Sequence, residues 1–582
     1  MNTAGSARPT LADRLWGLAR HGFHRLPPPW QLGLKRARRA VLRQDDWAAH
    51  VSGLRLREQG YLQETLRDGR AITGGKRVAM YTLQHWSPVE YGLAMALRLR
   101  GHDVHGVLCD GLLPLCELNL GPIVRPPCRA CTGHFARYER AFGLAFGRLT
   151  DLLSADDRER AERLVAGTPD HGLAALAVDG VPVGQLARRE LQRYYRGFVF
   201  DATRDPAYRR WLVSGVLATW FAGRWLDRVR PDILGMCSGR TLSTACAFGV
   251  ARQRGIHVVT WDGSATHADG LTFSHNLSAT EIPLDEAWRE ASTQPLSDRQ
   301  RRELDEYMGR WSRSENTPFP YNPTPLDDAD GIRRRLGLGA GRPLVVAFTN
   351  TAWDIAVIDR DVGFESMFDW LFALVEYAAA HPAVDLVVRA HPAEKKVPRE
   401  LQSRSPVGPE IRRRFRPLPP NVTLIEGDDP VSSYTLAEMA QVNVVYASRF
   451  GLELALRGTR PWIAGSVTYR GKGFTLDVTS REHMEALLEA RDVSRRLTGH
   501  EVELARRFAY LWFFRYVVRL PLLRPPDRRF TLATFRQLGP GGDPVLDDLC
   551  DALVTGRPFL DIGRDPASVG PGDRRPCGPR GR

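Results

Sequence analysis

No stretch of this chain reaches the roughly 18 consecutive uncharged apolar residues that a helix needs to cross a bilayer. The amino terminus also lacks a continuous apolar core followed by a small-residue cleavage site, so a cytoplasmic address is expected. Cysteine is sparse, eight in 582 residues. That is no disulfide scaffold, and a reducing compartment keeps such residues as thiols. Walker A, HExxH and GxSxG spacings are absent, which leaves P-loop, zincin and serine-hydrolase readings without support. The glycine cluster Gly337, Gly339 and Gly341 lacks the GxGxxG spacing and receives no phosphate role. No repeat of solenoid period is present.

What the chain does have is apolar content of 43%. With a prior of about 150 residues per domain, this suggests two large globular units plus extensions. A formal net charge of +14, from 81 Lys and Arg against 67 Asp and Glu, favours acidic partners. The basic residues are dispersed among the amino-terminal extension, Arg412 to Arg416, Arg506 to Arg519 and the tail. Nucleic-acid modules usually show one aromatic-interleaved strip instead, so nucleic acid ranks below nucleotide sugar. Between Leu11 and Arg43, residues such as Trp16, Phe23 and Trp30 alternate with Arg and Lys. This segment suits an anionic membrane surface, or equally a solvated extension packed on the body.

Alternating strand and helix signals predict an α/β protein with two Rossmann-like domains, their parallel sheets facing a cleft. Residues 1–75 read as a basic extension, 76–290 as the first domain, 291–342 as a linker, 343–500 as the second domain and 501–582 as closing helices with a basic tail. Strands are expected at KRVAMY, HDVHGVL, DILGMC and IHVVTW in the first domain. In the second they are expected at PLVVAF, DLVVR, NVTLI, NVVYA and RPWIA. The aromatic-rich run RRFAYLWFFRYVVRLPLL is read as a closing helix that crosses back to the first domain, with membrane contact as the alternative.

Open α/β sheets hold ligands at the carboxyl ends of their strands. The run LVVRAHPAE delivers Arg389 and His391 to such an end, with Pro392 stopping the strand. An imidazole there can donate to a phosphate or protonate a leaving group. Arg389 would fork onto phosphate oxygens, or pair with Glu394. Ser448 and Gly451 open a helix whose Glu453 lies in its first turn, suiting either a phosphate at the helix start with a ribose diol on Glu453, or plain capping. Tyr469, Arg470 and Lys472 alternate with glycines, as an anion-binding turn or a solvated basic one.

On the first domain, Asp262 and Gly263 end a strand, where the carboxylate could act as general base or make an Asx turn. Gln84, His85, Glu90, Gly239 and Arg240 form further rims of that side of the cleft. Asp359 and Asp361 read as the acidic start of the helix that follows, and Asp428 and Asp429 as a turn. Cys109, Cys116, Cys128 and Cys131, with His134 as a spare ligand, fit either a structural zinc or free thiols packed under a loop.

Taken together, TNTAWD, VDLVVRAHPAE, LPPNVTLIEGDDPVSSYTL, VVYASRFGLELALRGTRPWIAGSVTYRGKGFT and GGDPVLDDLCDAL resemble bacterial capsule-polysaccharide biosynthesis proteins of the Kdo-transferase-like group, with the GT-B glycosyltransferase fold. The resemblance is dense from Pro343 to Asp477 and absent from the amino-terminal extension. It implies transfer of a sugar from a nucleotide donor, CMP-linked, to a capsule or other surface glycan or glycolipid, with no metal required. His391 and Pro392 would contact the donor phosphate, Ser448 would assist, and Asp262 with Gly263 would supply the base, although Trp261 stands where that motif carries a second acidic residue. Polyol-phosphate transfer, sugar-nucleotide epimerisation and a non-catalytic assembly scaffold are the alternatives on the same fold.

Overall fold

The computed structural model describes residues 46–564, except 71–74, 82, 84–88, 119–127, 200, 265, 268, 313–324, 340, 398, 400–401, 491–495 and 525–528. The readings made for residues 11–43, for the basic tail beyond 564, and for Gln84 and His85 fall outside the described residues.

Two doubly wound sheets form the body. The first holds β1 (Arg77–Tyr81), β2 (Asp103–Leu108), β3 (Gly147–Arg148), β4 (Ile233–Cys237), β5 (His257–Gly263) and β6 (Gly270–His275) in the spatial order 3-2-1-4-5-6. Its first five strands are mutually parallel and β6 runs antiparallel to β5. The second holds β7 (Leu344–Phe348), β8 (Asp385–Arg389), β9 (Val422–Ile425), β10 (Val442–Val445), β11 (Pro461–Ile463) and β12 (Leu476–Asp477). Its order is 9-8-7-10-11-12, and all its pairings are parallel. Each sheet therefore reverses strand order once, between β1 and β4 and between β7 and β10. The two Rossmann-like domains expected from the sequence are present.

Strands covered on both faces must be apolar at every position rather than at alternate ones. Leu344, Val346 and Phe348 point into one core and Val345 and Ala347 into another, and all five are buried. Helix Met367–Ala380, expected from Phe364 to His381, covers the second of these faces. Ser366 caps it by accepting from the Asp369 amide.

Three features depart from the expected boundaries. Residues 46–70 form two helices, Asp46–Arg57 and Gln59–Arg70, and Val51, Leu54 and Leu62 enter the first core, so this part of the extension belongs to the body. Residues 291–342 are not merely a linker. Leu304 and Tyr307 of helix Asp298–Ser312, and Ile332 of helix Ala329–Leu336, lie in the core of the second domain. The strand β6 was not anticipated, because GLTFSH follows a turn and pairs backward with β5.

The closing segment does cross back. Helix Gly499–Tyr510 buries Phe508 and Ala509 in the second domain and continues into a π-helical turn, Leu511–Arg515. Val518 and Arg519 (β13) then add antiparallel to β6 at the edge of the first sheet. Beyond it, Leu520, Leu522, Phe530, Phe535 and helix Pro544–Thr555 fill the first core. The aromatic density of this run is thus internal packing. Among the described residues no helix is long and apolar enough to cross a membrane.

Candidate functional site

Where strand order reverses in the second sheet, the carboxyl ends of β7, β8 and β10 open on a cavity of about 280 Å³. This is the position at which open α/β sheets bind ligands. Aromatic walls come from Phe348, Tyr434 and Phe450. Trp311 and Ser312 close it from the carboxyl end of helix Asp298–Ser312. Thr349, His391, Ser432, Ser433, Ser448 and Glu453 supply polar groups. Large apolar surfaces with a few convergent polar groups are the usual make-up of a small-molecule site.

His391 stands at the centre of the chemistry. Its backbone amide donates to Thr349 Oγ1 at 3.1 Å, which ties the ends of β7 and β8 together. Its Nδ1 accepts from the Ala393 amide at 3.1 Å, so the neutral ring carries its proton on Nε2. Burial, aided by the nearby Arg389 charge, pushes the imidazole down to about 4. Near neutral pH the ring is therefore an uncharged hydrogen-bond donor. Of the two roles offered for the imidazole, this state suits donation to a phosphate and not protonation of a leaving group.

Arg389 reaches the same cavity wall, with its guanidinium engaged by the chain. Nη1 donates to the Glu426 carbonyl at 2.6 Å, and Nη2 to the Asp429 and Val431 carbonyls at 3.2 and 3.4 Å. It braces the loop after β9 instead of presenting a two-pronged fork. It is not paired with Glu394 either, because both Glu394 oxygens accept from the Val407 amide. Glu394 is fully buried, and that burial raises its carboxyl to about 8.

The second cluster is also structural in large part. Ser448 Oγ accepts from the Phe450 amide at 3.2 Å, one residue before the seven-residue helix Phe450–Leu456, whose N-cap is Arg449 and which has no side-chain cap bond. Glu453 accepts from Tyr434 Oη at 2.5 Å and from Arg449 Nε at 3.1 Å. Tyr469 is fully buried beneath this helix and donates to the Ser448 carbonyl. Arg470 donates to the carbonyls of Ile463, Gly465 and Val478, and Lys472 pairs with Asp285. Tyr469, Arg470 and Lys472 hold the turn after β11 in place and line no part of the cavity.

Sequence reading missed Trp311 and Arg449. The Arg449 guanidinium lies 3.4 Å from the centre of the Trp311 ring, a cation–π contact joining the supposed linker to the cavity wall. Trp311 ends a charged helix, so nothing in its neighbourhood marked it. Asp359 and Asp361 were also misread. The first turn of the next helix is served by Ser366 and Asp369, whereas Asp359 pairs with Arg189 and lies 3.5 Å from Arg240, and Asp361 accepts from Tyr446.

These contacts bring the carboxyl edges of the two sheets together. Arg240, just beyond β4, donates to the Ile358 carbonyl at 2.7 Å in the loop after β7. Arg360 of that loop donates to the Thr280 carbonyl at 2.7 Å. Ser238 and Gly239 make the preceding turn with positive φ, at 63° and 69°. Asp262 and Gly263 end β5, the neighbour of β4, and Asp262 Oδ1 accepts from the Gly263 amide at 2.7 Å. That amide belongs to the next residue, whereas an Asx turn uses the one two residues on, and both residues stay paired with β6, so the turn offered as the alternative is not formed. Glu90, 3% exposed in the first turn of helix Val89–Leu99, is raised to about 7 by burial, with the Asp262 charge adding to the shift.

The cysteines do not assemble as a ligand set: among the described residues no three His, Cys, Asp or Glu side chains are gathered around a metal position. Burial holds Cys109 up at about 12 and Cys131 at about 11, so both stay thiols.

No family model and no curated protein matches the chain. Among solved structures it is similar to KpsC β-Kdo 2,7 transferase from Thermosulfurimonas dismutans, at 12% identity over 58% of this chain and 89% of that one, with a TM-score of 0.31. It is also similar to KpsC β-Kdo 2,4 transferase from the same organism, at 15% identity, 47% and 78% coverage and a TM-score of 0.31. A UDP-GlcNAc 2-epimerase from Neisseria meningitidis bound to UDP-GlcNAc is similar at 9% identity, 74% and 98% coverage and a TM-score of 0.22.

Proposed function

We propose that this protein is a glycosyltransferase that moves a sugar from a nucleotide-linked donor to a capsule or other surface glycan or glycolipid. The observation that carries this reading is a neutral imidazole donor among hydroxyls and aromatic rings where strand order reverses in the second sheet. A departing nucleotide phosphate needs its charge stabilised and needs no proton, which suits a ring that donates from Nε2. The aromatic walls would take the base, and Ser448, Ser432 and Ser433 would meet the sugar and phosphate oxygens. Asp262, beside Glu90 on the facing domain, would accept the proton of the attacking hydroxyl. A CMP-linked donor, transfer without a metal and attachment to the inner face of the membrane all belong to the proposal. The resemblance supports the first two, and composition the last.

Calorimetry with CMP, UDP and GDP on the whole chain, with His391→Ala as the variant, tests the reading. One of the three should bind, and the variant should bind it about 10- to 100-fold more weakly, as expected for losing a hydrogen bond to a charged group worth about 1.5–3 kcal/mol. Sugar transfer should be lost while the melting temperature is kept. Undiminished binding and transfer in the variant would remove His391 from the mechanism. Failure of all three nucleotides to bind would leave an assembly scaffold as the better reading.

A further inference from the structure

A second cavity, of about 370 Å³, lies between the domains. One wall is helix Val183–Tyr195, and the other is the loop after β7 together with Tyr446 just beyond β10. It therefore abuts the same two strand ends as the first cavity without sharing its lining. Its volume falls in the range of small-molecule sites, about 300–1,000 Å³.

The helix shows why this wall is polar. Leu186, Ala187 and Leu191 face the core on the other side of the first sheet, with Leu234, Met236 and Val258, whereas Gln185, Arg188, Arg189 and Gln192 recur at helical spacing on the opposite side and line the cavity. Glu365 and Ser366 face them from the second domain, and Phe198 and Met367 add apolar surface. Arg189, Asp359 and Asp361 are engaged in pairs already described. Among the described residues, the side chains of Gln185, Arg188, Gln192 and Glu365 have no hydrogen-bond or ion-pair partner.

We infer that this cavity binds a neutral, hydroxyl-rich carbohydrate, through Gln185, Arg188, Gln192 and Glu365. The chemistry of the uncommitted groups selects the class. Two amides, each both donor and acceptor, stand with one pure donor, Arg188, and one pure acceptor, Glu365. A hydroxyl, which donates and accepts, satisfies such a set. A phosphate or carboxylate, which only accepts, would waste Glu365 and both amide oxygens. Charge points the same way, since Arg188 and Arg189 face Asp359, Asp361 and Glu365, and a wall of mixed sign gives an ionised ligand little net attraction. Phe198 and Met367 offer apolar contact to the C–H face of a sugar ring. As an acceptor subsite this rests on the transferase reading; as a carbohydrate site it stands alone.

Saturation-transfer NMR on the whole chain with maltose, lactose and cellobiose, and with glucuronic acid as the anionic control, tests it. At least one neutral disaccharide should give a saturable signal, and glucuronic acid none. The double variant Gln192→Ala/Glu365→Gln should weaken that binding tenfold or more, while His391→Ala leaves it intact. Melting curves identify an unfolded double variant, in which case the exposed single variant Gln185→Ala, expected to weaken binding severalfold, decides. Absence of neutral-sugar binding, equal binding of glucuronic acid, or undiminished binding in the folded variants would overturn the inference. Nucleotide calorimetry is read separately, so disaccharide binding without nucleotide binding would sink the transferase reading and leave this site standing.

Discussion

Gly451 was read as part of a helix start suited to a phosphate or to plain capping, and its lack of a side chain serves a protein contact. A Cβ at this position would meet Tyr469 Oη at 2.3 Å and Val445 Cγ2 at 3.0 Å. Tyr469 cannot retreat, being fully buried and bonded to the Ser448 carbonyl. Gly451→Ala therefore pushes the helix that carries Glu453 away from the aromatic core, at a cost of about 1–3 kcal/mol, typical of overpacking. Urea denaturation should show that loss in Gly451→Ala and its partial recovery in Gly451→Ala/Tyr469→Phe. Wild-type stability in the single variant would mean that the helix tolerates the shift. His391 shows the opposite case, because its residue type and position after a buried strand were legible from LVVRAHP alone. The tautomer and the depressed titration were not, since they depend on the Ala393 amide and on burial that only the folded chain creates.

Elements were easier to read than residue roles, and for a physical reason. Strands buried on both faces leave a continuous apolar signature, as LVVAF and DLVVR do, and helices between them leave a 3.6-residue stripe. A two-residue pairing such as Val518 with Leu271 leaves none, so β13 and the return of the chain could be inferred only from an apolar run in need of cover. Arg470 and Lys472 looked like ligand groups because the sequence does not show which carbonyls and carboxylates will surround a cation. The return of the chain also carries a titratable clasp. His275 Nε2 donates to the Arg557 carbonyl at 2.9 Å, so its Nδ1 accepts from His257 Nε2 at 2.9 Å, and His257 Nδ1 accepts from Asn276 at 3.3 Å. Every ring nitrogen is used in the neutral form, and burial lowers the titration of both rings below the ordinary value. Unfolded histidines take up protons near 6.5, whereas the folded pair resists, so its stabilisation is complete above that pH and is lost as pH falls below it. Melting temperature should fall between pH 7 and pH 5, and the slope should flatten in His257→Gln/His275→Gln. An unchanged slope in the variant would assign the acid sensitivity to other groups.

At the scale of the whole molecule, the two domains are joined by more than the chain that runs between them. Loop 402–405 grips the end of helix Val183–Tyr195: the Arg404 amide donates to the Arg196 carbonyl at 2.9 Å, and Arg196 Nε donates to the Gln402 carbonyl at 3.2 Å. On the cleft side, Asp359 stands between Arg189 and Arg240, two like charges that it alone separates in this contact. Burial, and then the Arg189 charge, lowers Arg240 to about 10, so it is a cation held at a cost. Asp359 sits at φ 61°, a left-handed conformation that Asp and Asn tolerate better than most residues. Asp359→Asn keeps the backbone and the shape and removes only the charge. Because the Asp359 side chain is 53% exposed, screening limits the loss to about 1 kcal/mol, roughly fivefold in the ratio of open to closed forms. Small-angle scattering should show a larger radius of gyration for the variant at low salt, converging on wild type at high salt as the repulsion between the arginines is screened. On the proposed transferase reading the donor would sit in the second domain, so its binding should hold, while turnover should fall because closure would exclude water from the transfer step. An identical scattering curve with undiminished turnover would show that the loop after β7 fixes the domains without help from this charge.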